Sequence, residues 1–242
     1  MIETGPAPVS LDLPPDLADR VDEAEYARLL GYPDRRLPNG PVTEGAIRAR
    51  SWFRRHGGPW ALTRRLPILE IGAREVEVEG GPALSSPTLA RRLRRAGADA
   101  LVVTLVSAGH EADERCASLW QSERPDDAYL ADRFAAAVTE HLATWAGDQL
   151  RQALRQAGRG LTASYAPGYP GWGLEQMAEV GHCLTGSGEK DQRFEILPSG
   201  MIRSASSLLA VFGVTSDLDA ADRSWRRSGC RWCALVDCDF RR

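Results

Sequence analysis

The stretch from Leu161 to Trp172, LTASYAPGYPGW, restricts what this chain can fold into more than any other. Pro167 and Pro170 each remove a backbone donor and hold φ near −65°, while Gly160, Gly168, Gly171 and Gly173 permit backbone angles that other residues avoid. Neither a helix interior nor a central strand accommodates that combination. The segment is expected to be a rigid loop whose bare amides lie beside two phenols, Tyr165 and Tyr169, and an indole, Trp172. Flat apolar faces next to unblocked amides suit a purine and a ribose. An ordinary Pro/Gly turn with aromatic packing satisfies the same spacing.

Periodicity supplies the elements around this loop. Asp22 to Leu30 and Val42 to His56 are expected helices, the second stopped by Gly57-Gly58-Pro59; Trp52, Phe53 and Trp60 belong to the core. Leu66 to Ile71 and Glu75 to Glu79 form a hairpin. Pro87 to Ala96 is a helix with a solvated basic face, Arg91 to Arg95. Ala100 to Val106 is a continuous apolar run and so a strand buried on both sides; it leads into the loop Ser107-Ala108-Gly109 and then His110. The longest periodic segment is Asp126 to Gln156, with Leu130, Phe134, Val138, Leu142 and Trp145 on one stripe and the acids Asp132 and Glu140 sharing a neighbouring face. Glu140 is either a surface acid or, if buried, a carboxylate that needs a cationic partner. A helix over Leu174 to Leu184 and strands over Arg193 to Leu197 and Leu208 to Val214 complete an α+β fold around one antiparallel or mixed sheet.

The 242 residues are enough for one large core. Residues 1–18, rich in Pro and Asp, are expected to be a loose arm, residues 19–228 the folded domain, and residues 229–242 a Cys-rich tail. A net charge of −3 gives no case for nucleic acid or an anionic membrane surface. Neither a run of about 18 apolar residues nor a basic-then-apolar N-terminus is present, which points to a soluble, cytoplasmic protein. Five cysteines, three of them in the last thirteen residues, do not make a secreted disulfide framework. Cys230, Cys233 and Cys238 follow a C-x2-C-x4-C pattern that can converge on zinc or an iron–sulfur cluster, with a further ligand from Cys183, Cys116, His182, Asp237 or outside the chain; reduced structural thiols are the alternative.

The loop resembles the RYSPGY or RPAPGYP signature of the activation domain of vitamin B12-dependent methionine synthase. In short standalone relatives a Gly-Trp pair and a Glu-Gln on a helix follow, and this chain has Gly171, Trp172, Glu175 and Gln176 in that order. RSAS at Arg203 to Ser206 stands where those relatives carry KSVS, EYARLLGY at Glu25 to Tyr32 is similar to their opening, and Thr139-Glu140 stands where they have a Val-Glu pair. They also carry three cysteines near the C-terminus. The resemblance covers most of the chain. It implies a curved antiparallel sheet with packed helices, and S-adenosylmethionine (SAM) held by Tyr165, Ala166, Pro167, Gly168, Tyr169, Trp172, Arg203 and Ser204.

Two departures bear on function. The family's loop opens with an arginine that forks onto the SAM carboxylate, and here that position is Ser164, leaving Arg159 or Arg203 as substitutes. The cobalamin, homocysteine and folate modules of methionine synthase do not fit in this length. Expectation therefore leans to an enzyme that consumes SAM itself, by intramolecular alkylation to 1-aminocyclopropane-1-carboxylate and methylthioadenosine. Pyridoxal phosphate is not expected, since the only lysine, Lys190, sits in a polar loop. Tyr165, Tyr169, Glu140 and Glu175 are the candidates for moving the proton. The alternative is reductive methylation of a separate corrinoid protein; pure SAM sensing and a homodimer also stay open.

Overall fold

The computed structural model describes residues 7–186 and 191–226. Its centre is strand β5 (Ala98–Ser107), bracketed by two long antiparallel neighbours, β2 (Trp60–Ile71) and β9 (Ser207–Thr215). Outward from β2 come β3 (Glu75–Val78) and β4 (Leu84–Ser85), and beyond β9 lies the short β6 (Gly160–Leu161). β1 (Val9–Ser10) adds to β2, and every pairing is antiparallel. A separate two-stranded ribbon joins β7 (Glu195–Ile196) to β8 (Ile202–Arg203). The sheet does not close.

Alternation along β5 shows why its sequence is apolar on both faces, with Thr104 the one hydroxyl between Ala100 and Val106. Leu101, Val103 and Leu105 enter a core on one face with Leu62, Leu66, Leu209 and Val211. Ala100 and Val102 meet Phe212 and Val214 on the other face, and Val106 continues there. A strand covered on both sides needs apolar residues at most positions, and Thr104 is accommodated because its hydroxyl meets that of Thr63 at 3.2 Å. The first face is covered by α4 (Pro87–Ala96) and α7 (Met177–Thr185), the latter preceded by a 3-10 turn at Leu174–Gln176. The second is covered mainly by α6 (Pro125–Gln156), joined by α1 (Leu17–Arg20), α2 (Glu23–Leu29), α3 (Pro41–His56), α5 (His110–Gln121) and α8 (Leu218–Arg226).

The α+β class and the antiparallel sheet agree with expectation. Helix α4 has the expected bounds because Ser86 caps it, accepting from Leu89 N at 3.1 Å, and Gly97 ends it in a left-handed turn at φ 59°. Residues 9–18 correct the expected loose arm. Val9–Ser10 is paired with β2, and Leu17 is 3% exposed beneath Arg50, whose guanidinium donates to the Ala18 and Val21 carbonyls. β2 also begins six residues before the expected strand, at Trp60 rather than Leu66. Helices α5 and α8 were not foreseen.

Candidate functional site

The loop is aimed by an irregularity in the strand before it. Leu161 lies opposite Val214 but Tyr165 lies opposite Val211, so four steps on one strand answer three on the other. The extra residue turns the chain over. Leu161 packs with Phe212 and Val214 on the α6 side, whereas Tyr165 enters the core on the α4 side. Thr162 fixes the crossing, its hydroxyl accepting from Gly213 N at 2.8 Å, and Ser224 Oγ accepts from Ala163 N.

Tyr165 then anchors the turn from Ala166 to Trp172. It is 5% exposed, its ring stacks on Trp172 with centroids 5.5 Å apart, and its hydroxyl donates to the Pro170 carbonyl at 2.7 Å. Burial raises its pKa, partly offset by Thr88 and Arg92. Gly168 N donates to Trp172 O, and Trp172 N to Tyr169 O, closing the turn on itself. The turn docks on the first residues of α4, where Ser86 Oγ donates to Gly171 O at 3.1 Å. Gly171 is needed there: its φ is +89°, and a Cβ would meet Thr88 Oγ1 at 2.4 Å. Gly168, at φ +92°, sits exposed at the tip beside Leu174.

Beyond Tyr165 the loop leaves the sheet, and among the described residues no further strand pairs with β9 on that side. Val211 exchanges both backbone hydrogen bonds with Tyr165. In an antiparallel ladder the same orientation recurs two residues on, so Leu209, itself buried, turns its amide and carbonyl to that same side. No described strand pairs with β9 there. Leu208 is 39% exposed and Ala210 half-buried, giving the edge a small apolar floor.

The Arg203 to Ser206 segment forms the end wall. Ser204, 3% exposed, accepts from Ser107 Oγ, and Ala205 N donates to the Asp113 carboxylate at 2.9 Å. The Ser206 carbonyl accepts from Thr139 Oγ1 and from Ala108 N, each at 2.9 Å. Thr139 thereby ties α6 to the start of β9 and holds the half-buried Glu140 nearby.

The expected residues thus divide. Gly168 and Tyr169 are exposed and Ala166 is half-buried, while Ser204 is buried and Glu140 half-buried on α6. Tyr165, Pro167 and Trp172 are buried supports of the loop. Glu175 is exposed in the 3-10 turn, while Gln176 accepts from Ser85 N and fastens that turn to β4. Arg203 is exposed and paired with Glu195 at 2.9 Å, and Arg159 is paired with Asp99, so neither expected substitute for a loop arginine is directed at the loop. Arg92 is the cation that reaches it, 4.7 Å from the centroid of the Tyr165 ring. Sequence reasoning placed Arg92 in a solvated face, yet it is half-buried while Arg91, Arg94 and Arg95 are exposed. Asp113 was also missed, because nothing in its local pattern marks it. His110 is exposed and lies 3.5 Å from Glu111.

Cys230, Cys233, Cys238 and Lys190 lie outside the described residues. Among the described residues no group of three His, Cys, Asp or Glu side chains is placed to hold a metal. Burial pushes the Cys183 thiol up to about 12 and the Cys116 thiol up to about 11, which leaves both protonated at neutral pH. No described helix is long and apolar enough to cross a membrane. A cavity of about 460 Å³ lined by Asp148, Arg151, Gln152, Arg155 and Gln156 shares no residue with the loop.

No family model and no curated protein sequence matches this chain. Among solved structures it is similar to the crystal structure of the MetH reactivation domain bound to AdoHcy, with a TM-score of 0.64 and 11% identity, over 89% of this chain and 82% of that one. So low an identity speaks to architecture alone, and the chain has the fold of the MetH reactivation domain.

Proposed function

We propose that this chain binds SAM along the open edge of β9, under the Ala166 to Tyr169 turn, and consumes it without pyridoxal phosphate. One observation carries the reading: the Pro/Gly loop is rigidly docked at its far side, and beyond Tyr165 no described strand pairs with β9, so the reading joins an unpaired stretch of strand edge, the partly exposed side chains of Leu208 and Ala210, and the exposed phenol of Tyr169. The MetH domain of the same fold is bound to AdoHcy, a ligand that shares the adenosine of SAM.

The proposed reaction is ring closure within SAM. A base removes the Cα proton, the remaining electron pair forms a bond to Cγ, and the Cγ–S bond breaks with its electrons returning to sulfur. The products are 1-aminocyclopropane-1-carboxylate and neutral methylthioadenosine, with no oxidant or reductant involved. Holding Cα and Cγ in line is the main contribution asked of the protein, since intramolecular positioning is worth effective molarities of about 10⁵ to 10⁸ M. Tyr165 is ill suited to accept the proton, because its hydroxyl already donates to Pro170 and burial raises its pKa. Glu140 and Tyr169 are the proposed proton acceptors, with Glu175 at the exposed end of the loop as the remaining candidate. Zinc or an iron–sulfur cluster on Cys230, Cys233 and Cys238 is proposed as a structural group of the tail.

The deciding experiment incubates the purified chain with SAM alone and identifies products by mass. Methylthioadenosine together with the cyclopropane amino acid supports the reading, and its rate should fall by about 10² to 10⁴ in Glu140→Gln or Tyr169→Phe. Adenosylhomocysteine formed only when a reduced corrinoid protein is added would replace it with methyl transfer to cobalt.

A further inference from the structure

Arg92 is a guanidinium without an acid. It lies half-buried on α4 with its Cζ 4.7 Å from the Tyr165 ring centroid, and it forms no ion pair or hydrogen bond with any described residue. Its neighbours on the helix differ. Arg94 donates to the Ile71 and Gly72 carbonyls, and Arg91 reaches Thr88. Burial lowers the pKa of Arg92, and the electrostatic partners it senses are the loop phenols Tyr165 and Tyr169. A ring face holds a guanidinium in place but satisfies none of its five N–H donors. Its donors stay within reach of water and are fixed beside the one exposed aromatic of the loop, so they are free to meet an anionic group of a ligand without first breaking an ion pair.

We infer that Arg92 recognises the carboxylate of the ligand held by the loop. This rests on the proposed SAM reading and makes it more specific. SAM offers one anionic group, its α-carboxylate, beside a cationic ammonium and a cationic sulfonium. A planar guanidinium matches a carboxylate with two parallel hydrogen bonds. The other nearby arginines are occupied, Arg203 by Glu195 and Arg159 by Asp99. Ser164 at the start of the loop carries no charge. Stacking on Tyr165 also removes much of the rotamer freedom that a long side chain otherwise loses on binding.

The test compares three probes by calorimetry on the full chain: SAM, its decarboxylated analogue, and methylthioadenosine. The first two differ only in the carboxylate, and the third reports the adenosine contact. Wild-type protein should bind SAM about 10- to 100-fold more tightly than the decarboxylated analogue, the range for hydrogen bonds to a charged group. Arg92→Gln should erase most of that preference while leaving methylthioadenosine affinity unchanged. Arg92→Lys keeps the charge and the ring contact but loses the fork; it should narrow the preference, and it carries the test if the glutamine variant does not fold. Arg95→Gln, which removes an exposed charge from the same helix, should keep the preference whole. A preference that survives in both Arg92 variants, or is absent from wild type, overturns the assignment and leaves SAM binding standing. Failure of all three probes to bind wild type overturns the SAM reading, and the role of Arg92 with it.

Discussion

At the scale of single residues, the loop owes its shape to side chains buried in the fold. The Tyr165 hydroxyl ends a hydrogen bond to Pro170 inside the core, so Tyr165→Phe should act on stability before chemistry. Losing one such bond costs about 1 kcal/mol. In a chain of this size that lowers the melting temperature by about 2–4 °C. Turnover of the folded variant should stay within a few-fold of wild type, and a drop of about 10² or more would restore Tyr165 as a proton-transfer group. Gly171→Ala asks a harder question of the same anchor. It forces a Cβ into Thr88 at a backbone angle that side chains rarely adopt, so the expected loss is about 1–3 kcal/mol. Thermal melts of the two variants check both expectations. Gly168 also has a positive φ, but its Cβ would meet only the tip of Leu174, at 3.0 Å. Gly168→Val should therefore strain the turn locally and block the groove, abolishing saturable SAM binding in calorimetry. Unchanged affinity would move the site elsewhere.

At the scale of elements, the sequence was most readable where one residue type dictates the backbone. Ser86 and Gly97 bound α4 by capping chemistry, and the prolines and glycines of the loop exclude regular structure outright. Helices α5 and α8 escaped notice because their buried stripes are thin, Ala112 and Leu119 in one and Ala220 and Ala221 in the other. Two buried residues do not establish a period. The bulge between Leu161 and Tyr165 was invisible too, since Thr162, Ala163 and Ser164 suit either face of a sheet, and only the register with β9 shows the extra residue. That bulge sends Tyr165 into the core on the α4 side and so makes it a buried support of the loop. α8, which backs it through Ser224, is held by an acid shared between two bases. Asp222 pairs with Arg151 and Arg155 on α6, both at 2.8 Å, and these guanidiniums hold its carboxyl well below the usual range. A depressed folded pKa means that this contribution is complete above the unfolded value near 3.8 and is lost as pH falls below it, through the folded one. Asp222→Asn should thus lower the melting temperature at pH 6 and flatten its fall below about pH 4. A variant with the wild-type acid profile would show that the pair does not secure α8.

At the scale of the molecule, the sheet is covered on both faces, part of β9 has no strand partner among the described residues, and the proposed site uses that edge. A groove of this kind is filled by its ligand only in the folded state, so binding must stabilise the whole fold. At a ligand concentration 100 times Kd the stabilisation is about 2.7 kcal/mol. For a single domain of this length that corresponds to a rise in melting temperature of about 5–10 °C. SAM should produce that shift in the wild-type chain and none in Gly168→Val. The tail is a separate matter and gives a separable signal. If Cys230, Cys233 and Cys238 hold zinc or a cluster, the purified chain should carry metal near one equivalent, because the binding energy of a structural metal is part of the folding energy. A chelator should then lower the melting temperature without SAM and leave the increment due to SAM intact, since the residues proposed to bind SAM lie on the loop, β9 and the segment before it, α4 and α6, and none is a tail cysteine. Loss of the SAM increment on chelation would mean that the tail shapes the groove. Protein that is metal-free, fully folded and unaffected by chelator would reduce the three cysteines to ordinary thiols.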